Sequence, residues 1–167
     1  MITTREAWPE EFEGIVEFYQ SSGYDLAVSP ADVFVVAEDD KVLCGVARLC
    51  IEHAKLVLRD IRLKEGYQRQ GIGTRLLYNL IPVIGDRECF CLPYRYLRSF
   101  YGQIGFVEID PAAAPPFLAE RHAGYRLEGG MDVIIMRRPS TTEIREMMDA
   151  TAETRPGMKK QMFDNHP

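Results

Sequence analysis

The stretch from Leu56 to Leu80, LVLRDIRLKEGYQRQGIGTRLLYNL, carries the pattern that decides the fold. Its first part, 57–63, is rich in Val, Leu and Ile, which favours a β-strand. The polar segment 64–70 that follows predicts a turn. From Gly71 onward, apolar residues recur at helical spacing, at Ile72, Leu76, Leu77 and Leu80. The stretch therefore predicts a strand, a tight loop and a helix in direct succession.

The junction between this strand and helix reads Gln68-Arg69-Gln70-Gly71-Ile72-Gly73-Thr74. The N–H groups in the first turn of a helix have no partner inside the helix, and the helix dipole places partial positive charge there. Two glycines leave these N–H groups accessible, because glycine has no side chain to cover them. The junction therefore predicts an anion site of the kind that holds phosphate groups.

Two well-known phosphate loops do not fit this junction. A P-loop requires Gly-Lys followed by Ser or Thr, and no glycine of the chain is followed by those residues. A dinucleotide-binding loop requires a third Gly or Ala at the position of Leu76. A tight structural turn that binds no ligand stays open as the alternative.

The motif Gln-x-x-Gly-x-Gly after an aliphatic strand end resembles the acyl-CoA pyrophosphate loop of the GNAT superfamily of N-acyltransferases. Gln68, Gly71 and Gly73 carry the motif, and Leu63 and Tyr67 stand where the family usually has an aliphatic strand end and a ring. A second run, Phe100-Tyr101-Gly102-Gln103-Ile104-Gly105-Phe106, resembles the late helix of that family, Phe-Tyr-x-x-x-Gly-Phe. The two motifs occur in the family's order, and together they cover about 57–106.

The remaining pattern predicts an α+β fold. The predicted strands are 1–8, 33–38, 42–51, 57–63, 88–92, 105–109 and 131–138. The predicted helices are 9–20, 71–80 and 96–103, and the second of them is expected to end or kink near Leu80 because Pro82 follows. The resemblance implies that the strands form a mixed, centrally splayed β-sheet flanked by helices on both faces.

The pattern predicts one GNAT-like domain, 1–139, with an appended C-terminal helix and polar tail, 140–167. Within the domain, the Pro- and Ala-rich segment 110–130 predicts a long loop, which the resemblance places near the acceptor. Ser140-Thr141-Thr142-Glu143 is a capping box that predicts a final helix with Ile144, Met147 and Met148 on one side. This apolar side makes a homodimer an expectation.

Composition narrows the range of partners. The net charge of −5 and the sequence pI of about 5.3 argue against a nucleic-acid-binding protein, which needs a basic surface. Four cysteines lie in strand-like runs, and Cys89-x-Cys91 is too closely spaced for a usual zinc pair, so we expect buried free thiols and no metal site. No apolar run approaches the ~18 residues of a membrane span, and no signal peptide is apparent. A cytoplasmic protein without a membrane partner is therefore expected.

The resemblance assigns acetyl-CoA, as cosubstrate, to the central strand and the loop after it. The pyrophosphate is expected on the loop formed by Gln68, Arg69, Gln70, Gly71, Ile72, Gly73 and Thr74. The pantetheine arm is expected to pair with the backbone of Ile61, Arg62 and Leu63. The Ile61 N–H is the candidate for polarising the thioester carbonyl, a contribution of roughly 3–4 kcal/mol in a comparable site. The side chains of Arg69 and Arg75 either add contacts to the pyrophosphate or form solvated surface.

Tyr101 stands where the family keeps a tyrosine thought to protonate the departing CoA thiolate; the alternative is an aromatic core residue. Strict alternation along the strand puts Arg59 on the face of Ile61 and Leu63, together with Val57, so that face offers no general base. Asp60 is expected on the opposite face, where it either faces a helix or makes a structural pair. Two alternatives then remain. Glu52, His53 or Glu65 acts as the base through a water molecule, or the acceptor amine arrives neutral and needs no base to free its lone pair.

Arg59 at a site-facing position predicts an acceptor that carries an anionic group, because arginine favours carboxylate and phosphate. Arg95 and Arg98 are further candidates for this contact, and a salt bridge to a neighbouring strand is the alternative for Arg59. The expected reaction is direct transfer of an acetyl group from acetyl-CoA to a primary amine of a small molecule or peptide. A non-catalytic CoA-binding or regulatory module, or an interaction module with a purely structural loop, stays open.

Overall fold

The structure is a computed structural model that describes residues 1–23 and 28–154. Its strands are β1 (Ile2–Glu6), β2 (Val33–Asp39), β3 (Val42–Glu52), β4 (Lys55–Leu63), β5 (Cys89–Cys91), β6 (Val107–Ile109) and β7 (Ile135–Arg138). They form one sheet in the order β1-β2-β3-β4-β5-β7-β6. The pairing of β4 with β5 is parallel and the other pairings are antiparallel, which confirms the predicted mixed sheet.

Helices cover both faces of the sheet, as expected. They are α1 (Phe12–Ser21), α2 (Ile72–Ile84), α3 (Arg98–Gly102), α4 (Pro116–Gly129) and α5 (Thr141–Glu153). The main core lies under α2 and α3, whereas α1 and α4 pack on the other face. Within the described part of the chain, no helix combines the length and apolar character that crossing a membrane requires.

The predicted end of α2 near Leu80 is wrong, because the helix continues through Pro82 to Ile84. Pro82 removes one intrahelical hydrogen bond and costs about 3 kcal/mol in a helix interior. Leu80 and Ile84 are both 0% exposed, and burying each contributes about 1.5–3 kcal/mol. Burial of the last turn therefore offsets the cost of the proline, and the helix ends at Gly85, where φ is +61°.

The predicted long loop at 110–130 is also wrong. A 3-10 turn at Pro111–Ala113 leads into α4, which starts at Pro116. Proline is tolerated at the first position of a helix because its missing N–H would have had no partner there. Leu118 and His122, one turn apart, are the buried residues of α4, and the His122 ring lies 3.0 Å from the carbonyl of Val133. The prolines lie before the helix or at its first position, so they do not interrupt it.

Cys44, Cys50, Cys89 and Cys91 are free and buried, as predicted. Burial raises the pKa of each thiol, so these groups stay protonated and act as small apolar side chains. Among residues 1–23 and 28–154, no group of three or more His, Cys, Asp or Glu side chains is placed to hold a metal ion.

The predicted N-cap of α5 is confirmed, since the Ser140 hydroxyl accepts a hydrogen bond from the Glu143 N–H at 3.2 Å. The returning half of the capping box is not formed in the described residues, because the Glu143 carboxylate contacts Arg137. Glu143 also pairs with Arg137 of β7, which ties the helix to the sheet. The side chains of Ile144, Met147 and Met148 are exposed. The homodimer expected from this apolar side stays a prediction, and most of the expected polar tail, 155–167, lies outside the described residues.

Leu80→Ala is expected to lower the free energy of unfolding by about 2–5 kcal/mol, because it leaves a cavity between α2 and the sheet. Tyr78→Ala on the exposed side of the same helix is the matched control, with an expected change within about 0.5 kcal/mol. Urea unfolding of the two variants measures both effects. Similar losses in the two would contradict the assignment of α2 to the core.

Candidate active site

Strand β4 loses one neighbour halfway along its length. Arg48 of β3 lies opposite Asp60 and Leu49 lies opposite Leu58, so Arg59 is an extra residue that forms a β-bulge. Strand β5 pairs with β4 only at Leu56, Val57 and Leu58. Beyond the bulge, β4 has no paired strand on the β5 side among the described residues, and we call the space along this unpaired edge the gap between β4 and β5. This gap is the central splay that the sequence resemblance implies.

The backbone of β4 beyond the bulge points hydrogen-bonding groups into this gap. The Lys64 N–H donates to the Cys44 carbonyl at 2.8 Å, which makes these two residues a hydrogen-bonded pair. Along an antiparallel strand, alternate residues direct their backbone groups toward and away from the partner. Leu63 and Ile61 therefore direct theirs away from β3 and toward the gap. The Ile61 N–H is thus available to a ligand lying between β4 and β5.

The loop after β4 leaves the N-terminus of α2 open. Gly71 is the N-cap residue with φ of +79°, and no side chain caps the first turn. A Cβ at Gly71 would meet no atom within 4 Å, so glycine is required for the backbone conformation and not for space. Gln68, Arg69, Gln70 and Gly71 are all exposed. The free N–H groups of this helical turn therefore face solvent, where an anion can reach them.

The two arginines nearest this loop differ in position. Arg75 points back toward the sheet edge, where its Nη1 donates to the Ile2 carbonyl at 2.8 Å. That contact fixes α2 on β1. Arg69 is on the exposed loop, with φ of +61°. Of the two, only Arg69 is placed beside the open helix N-terminus.

Tyr101 belongs to the main core. Its ring packs edge-on against Phe100 and Phe106, with centroids 5.0 and 6.2 Å away. Among residues 1–23 and 28–154 the hydroxyl has no hydrogen-bond partner. Burial, with a smaller contribution from Cys91, raises the pKa of Tyr101. The phenol therefore stays protonated at neutral pH, as a proton donor must be.

A cavity of about 160 Å³ lies on the other face of the sheet, beside α4. Its polar lining comes from β3, β4 and α4, and consists of Arg48, Arg59, Asp60, Arg62, Arg121 and Tyr125. Four of these six side chains are cationic, which makes the cavity suited to an anionic ligand.

The expected position of Arg59 is wrong, because the bulge interrupts the alternation of β4. Ile61 and Leu63 pack against the core under α2, whereas Val57 packs under α4. Arg59 lines the cavity on the α4 side and donates to Glu52 at 3.4 Å. The salt bridge left open from the sequence is therefore present.

Glu52 also accepts from both terminal nitrogens of Arg121, at 3.0 and 3.2 Å. One carboxylate thus serves two arginines, Arg59 and Arg121. If all three groups are ionised, one positive charge is left in excess at this edge of the cavity.

Arg95 and Arg98 lie apart from this cluster. Both contact Glu108, at 3.3 and 3.2 Å, and Arg95 also contacts Asp132 at 3.2 Å. Neither lines the cavity that contains Arg59. The structure does not bring together the three arginines that the sequence suggested for one anion.

Asp60 lines the cavity, although the sequence suggested only that it faces a helix or makes a structural pair. The Tyr19 hydroxyl of α1 donates to Asp60 Oδ1 at 2.8 Å, so the pair exists. Arg62 Nε lies 3.8 Å from Oδ2. Burial raises the pKa of Asp60 above its usual value, while the Tyr19 hydrogen bond and Arg62 partly oppose the rise. A carboxylate that is hydrogen-bonded and yet borders a cavity can exchange protons with a ligand.

The base candidates considered for action through water lie in other settings. Glu65 is exposed in the loop after β4. His53 packs its ring against Phe117, with centroids 4.5 Å apart. Glu52 is engaged by two arginines, as described above. None of them borders the cavity.

The sequence of this chain matches the model of one protein family. The profile of the acetyltransferase (GNAT) family matches residues 2–106. A search of curated protein sequences finds no significant match.

Solved structures with similar folds come from bacteria, an archaeon and a plant. The ribosomal-protein-S18-alanine N-acetyltransferase from Escherichia coli superimposes with a TM-score of 0.60 at 18% identity, over 84% of this chain and 94% of that chain. An acyl-CoA N-acyltransferase from Pseudomonas aeruginosa gives 0.59 at 15% identity, over 83% and 99%. The PaiA N-acetyltransferase from Thermoplasma acidophilum, solved with coenzyme A, gives 0.52 at 19% identity, over 83% and 99%. At these identities the likeness is one of fold.

Proposed function

The chain belongs to the GNAT acetyltransferase family, and on that basis we propose that it transfers an acetyl group from acetyl-CoA directly to a primary amine. One observation carries the proposal: the gap beside Ile61 and the open N-terminus of α2 lie at successive points of one strand-loop-helix unit. An extended acyl donor with a pyrophosphate at one end matches that arrangement. The acceptor is a small molecule or a peptide.

Acetyl-CoA is the cosubstrate in this proposal. The N–H groups at the start of α2 are suited to its pyrophosphate, since they are exposed, uncapped and at the positive end of the helix dipole. The loop 68–74 supplies these groups. The amides of the pantetheine arm are suited to the backbone of Ile61 and Leu63, as a strand added to a sheet edge would be.

The chemistry assigned to the chain has two steps. The amine attacks the thioester carbon while the Ile61 N–H stabilises the negative charge that develops on the carbonyl oxygen, a term worth roughly 3–4 kcal/mol in a comparable site. The C–S bond then breaks with its electron pair going to sulfur, and the Tyr101 phenol donates a proton to the thiolate. With reference pKa values of about 8.5 for a thiol and about 10 for a phenol, this transfer is moderately uphill. Burial raises the pKa of Tyr101 and adds to that cost.

The acceptor is proposed to carry an anionic group in addition to its amine. The support is the excess positive charge where Arg59 and Arg121 share Glu52 at the edge of the cavity. A carboxylate entering the cavity would give these arginines a second anionic partner.

Arg59→Ala is expected to raise the KM for amines that carry a carboxylate by about tenfold or more, because hydrogen bonds to charged groups contribute about 1.5–3 kcal/mol. The KM for matched neutral amines should change much less. Steady-state kinetics on paired substrates measure the ratio. Arg145→Ala, which removes an exposed arginine of α5, is the control and should leave the ratio unchanged. An equal rise for both substrate classes would contradict an anionic acceptor.

The proposed reaction is tested with a panel of primary amines. Free CoA thiol should appear in step with N-acetylated product, detected by mass spectrometry. Binding of acetyl-CoA without transfer to any amine would contradict the enzyme and support a non-catalytic CoA-binding module. Absence of acetyl-CoA binding would contradict both.

A further inference from the structure

We propose that the Asp60 carboxylate is the general base that accepts the proton of the attacking amine. The inference rests on the proposed acetyl transfer. It assigns the general base of that reaction, for which the face of β4 that carries Ile61 and Leu63 offers no residue. It follows from the bulge at Arg59, which turns the side chain of Asp60 into the cavity beside α4.

The bulge brings two functions to adjacent residues. Asp60 is a lining residue of the cavity, and the next residue, Ile61, directs its N–H toward the gap between β4 and β5. Adjacent Cα atoms are about 3.8 Å apart, so the proton acceptor and the oxyanion donor stay in a fixed relation. An amine in the cavity would therefore meet Asp60 next to the point where the thioester carbonyl is polarised.

The hydrogen bond from Tyr19 orients the carboxylate without neutralising it. Tyr19 is 1% exposed, and its hydroxyl donates to only one oxygen, Oδ1, at 2.8 Å. Burial raises the pKa of Asp60, which brings the group nearer to the range of an effective base. The other titratable or charged groups around it, in the described residues, are Arg48 on β3, Arg59 and Arg62 on β4, Tyr101 on α3, and Arg121 and Tyr125 on α4.

The arginines of the cavity assist an earlier proton loss, from the ammonium ion to solvent, which frees the lone pair before attack. A positive charge close to an ammonium group disfavours its protonated form, so the acceptor amine loses its proton more readily here than in water. Arg59 and Arg62 are the nearest cations on the strand of Asp60. They also lower the pKa of Asp60 and so oppose in part the rise that its burial causes.

The step conserves protons and electron pairs. The nitrogen lone pair forms the C–N bond, and the π pair of the carbonyl moves to oxygen. The proton on nitrogen passes to Asp60. A lone pair on the oxygen then re-forms the carbonyl as the C–S bond breaks with its pair on sulfur, and the sulfur takes the proton of Tyr101. Proton return from Asp60 to the Tyr101 oxygen through solvent restores both groups, and the products are the amide and the CoA thiol.

Asp60→Asn is expected to lower kcat at pH 7 by about a hundredfold, at the lower end of the usual range for general base catalysis. The rate should recover as pH rises, because hydroxide then accepts the proton that Asp60 takes in the wild type. The dissociation constant of acetyl-CoA, measured by calorimetry, should not change. A kcat within about threefold of the wild type would overturn the proposal.

Tyr19→Phe gives a second test, because it should produce a change in pH dependence that a purely structural Asp60 would not produce. The hydrogen bond from Tyr19 lowers the pKa of Asp60, so its removal raises that pKa. Because the base must be ionised, the low-pH decline in the pH profile of kcat/KM, its acid limb, should move to higher pH. The maximal value of kcat/KM should not change. Tyr78→Phe, on the exposed side of α2, is the control and should leave the limb in place.

The outcomes separate this inference from the proposed function. If the wild type acetylates amines but the acid limb of Tyr19→Phe does not move, the role of Asp60 is overturned and the proposed reaction is not. A wild type that acetylates no amine would overturn both the role and the reaction. A moved limb together with loss of turnover in Asp60→Asn would establish the base.

Discussion

Gly71→Glu is expected to abolish the stabilisation that acetyl-CoA gives to the wild-type protein. At a ligand concentration one hundred times its dissociation constant, the wild type should gain about 2.7 kcal/mol, a clear rise in Tm. The substitution puts a carboxylate at the N-cap of α2, where the pyrophosphate is proposed to bind, and like charges repel. It also strains the loop, because φ at this position is +79°.

Strain alone could lower Tm without touching the ligand, so a matched variant is needed. Gly130 ends α4 with φ of +58°, and a Cβ there would also meet no atom within 4 Å. Gly130→Glu therefore carries the same charge and similar strain far along the chain from the loop. It should lose stability yet keep the full shift with acetyl-CoA. Retention of the shift in Gly71→Glu would contradict the pyrophosphate site.

The strand-loop-helix unit could be predicted because its information is local. The glycines at 71 and 73 mark the start of α2, and the spacing of Ile72, Leu76 and Leu80 marks its buried side. Two errors elsewhere have one cause, namely that proline was taken to exclude helix. Pro82 lies in a last turn fixed by burial and Pro116 lies at a first position, and in neither setting does proline prevent the helix.

The arrangement of the site was less accessible from the sequence. Assigning faces on β4 assumed unbroken alternation, and one extra residue, Arg59, reverses the faces on either side of it. No residue type in the run from Leu58 to Asp60 marks a bulge, because the bulge is a property of the pairing with β3. The sequence therefore identified the loop and Tyr101 as site candidates, but could not show that Asp60 and Arg59 line one cavity.

Tyr101→Phe is expected to lower kcat by roughly 10²–10⁴, the range for loss of a positioned acid or base. The CoA thiolate would then leave without a proton. Because the substitution removes only the hydroxyl, the dissociation constant of acetyl-CoA and the KM for the amine should change little. Single-turnover rates with saturating acetyl-CoA measure the effect on the chemical step, and Tyr78→Phe provides the control for loss of an exposed hydroxyl.

The stability of this variant separates the two interpretations of Tyr101. A ring that serves only the core keeps its contacts with Phe100 and Phe106 in the Phe variant, and the hydroxyl has no partner to lose within the described residues. A core role therefore predicts an unchanged Tm and an unchanged kcat. A catalytic role predicts an unchanged Tm with a large loss of kcat. If the wild type and Tyr101→Phe have equal Tm values, a loss of kcat cannot be due to unfolding. The value of kcat then decides between the two roles.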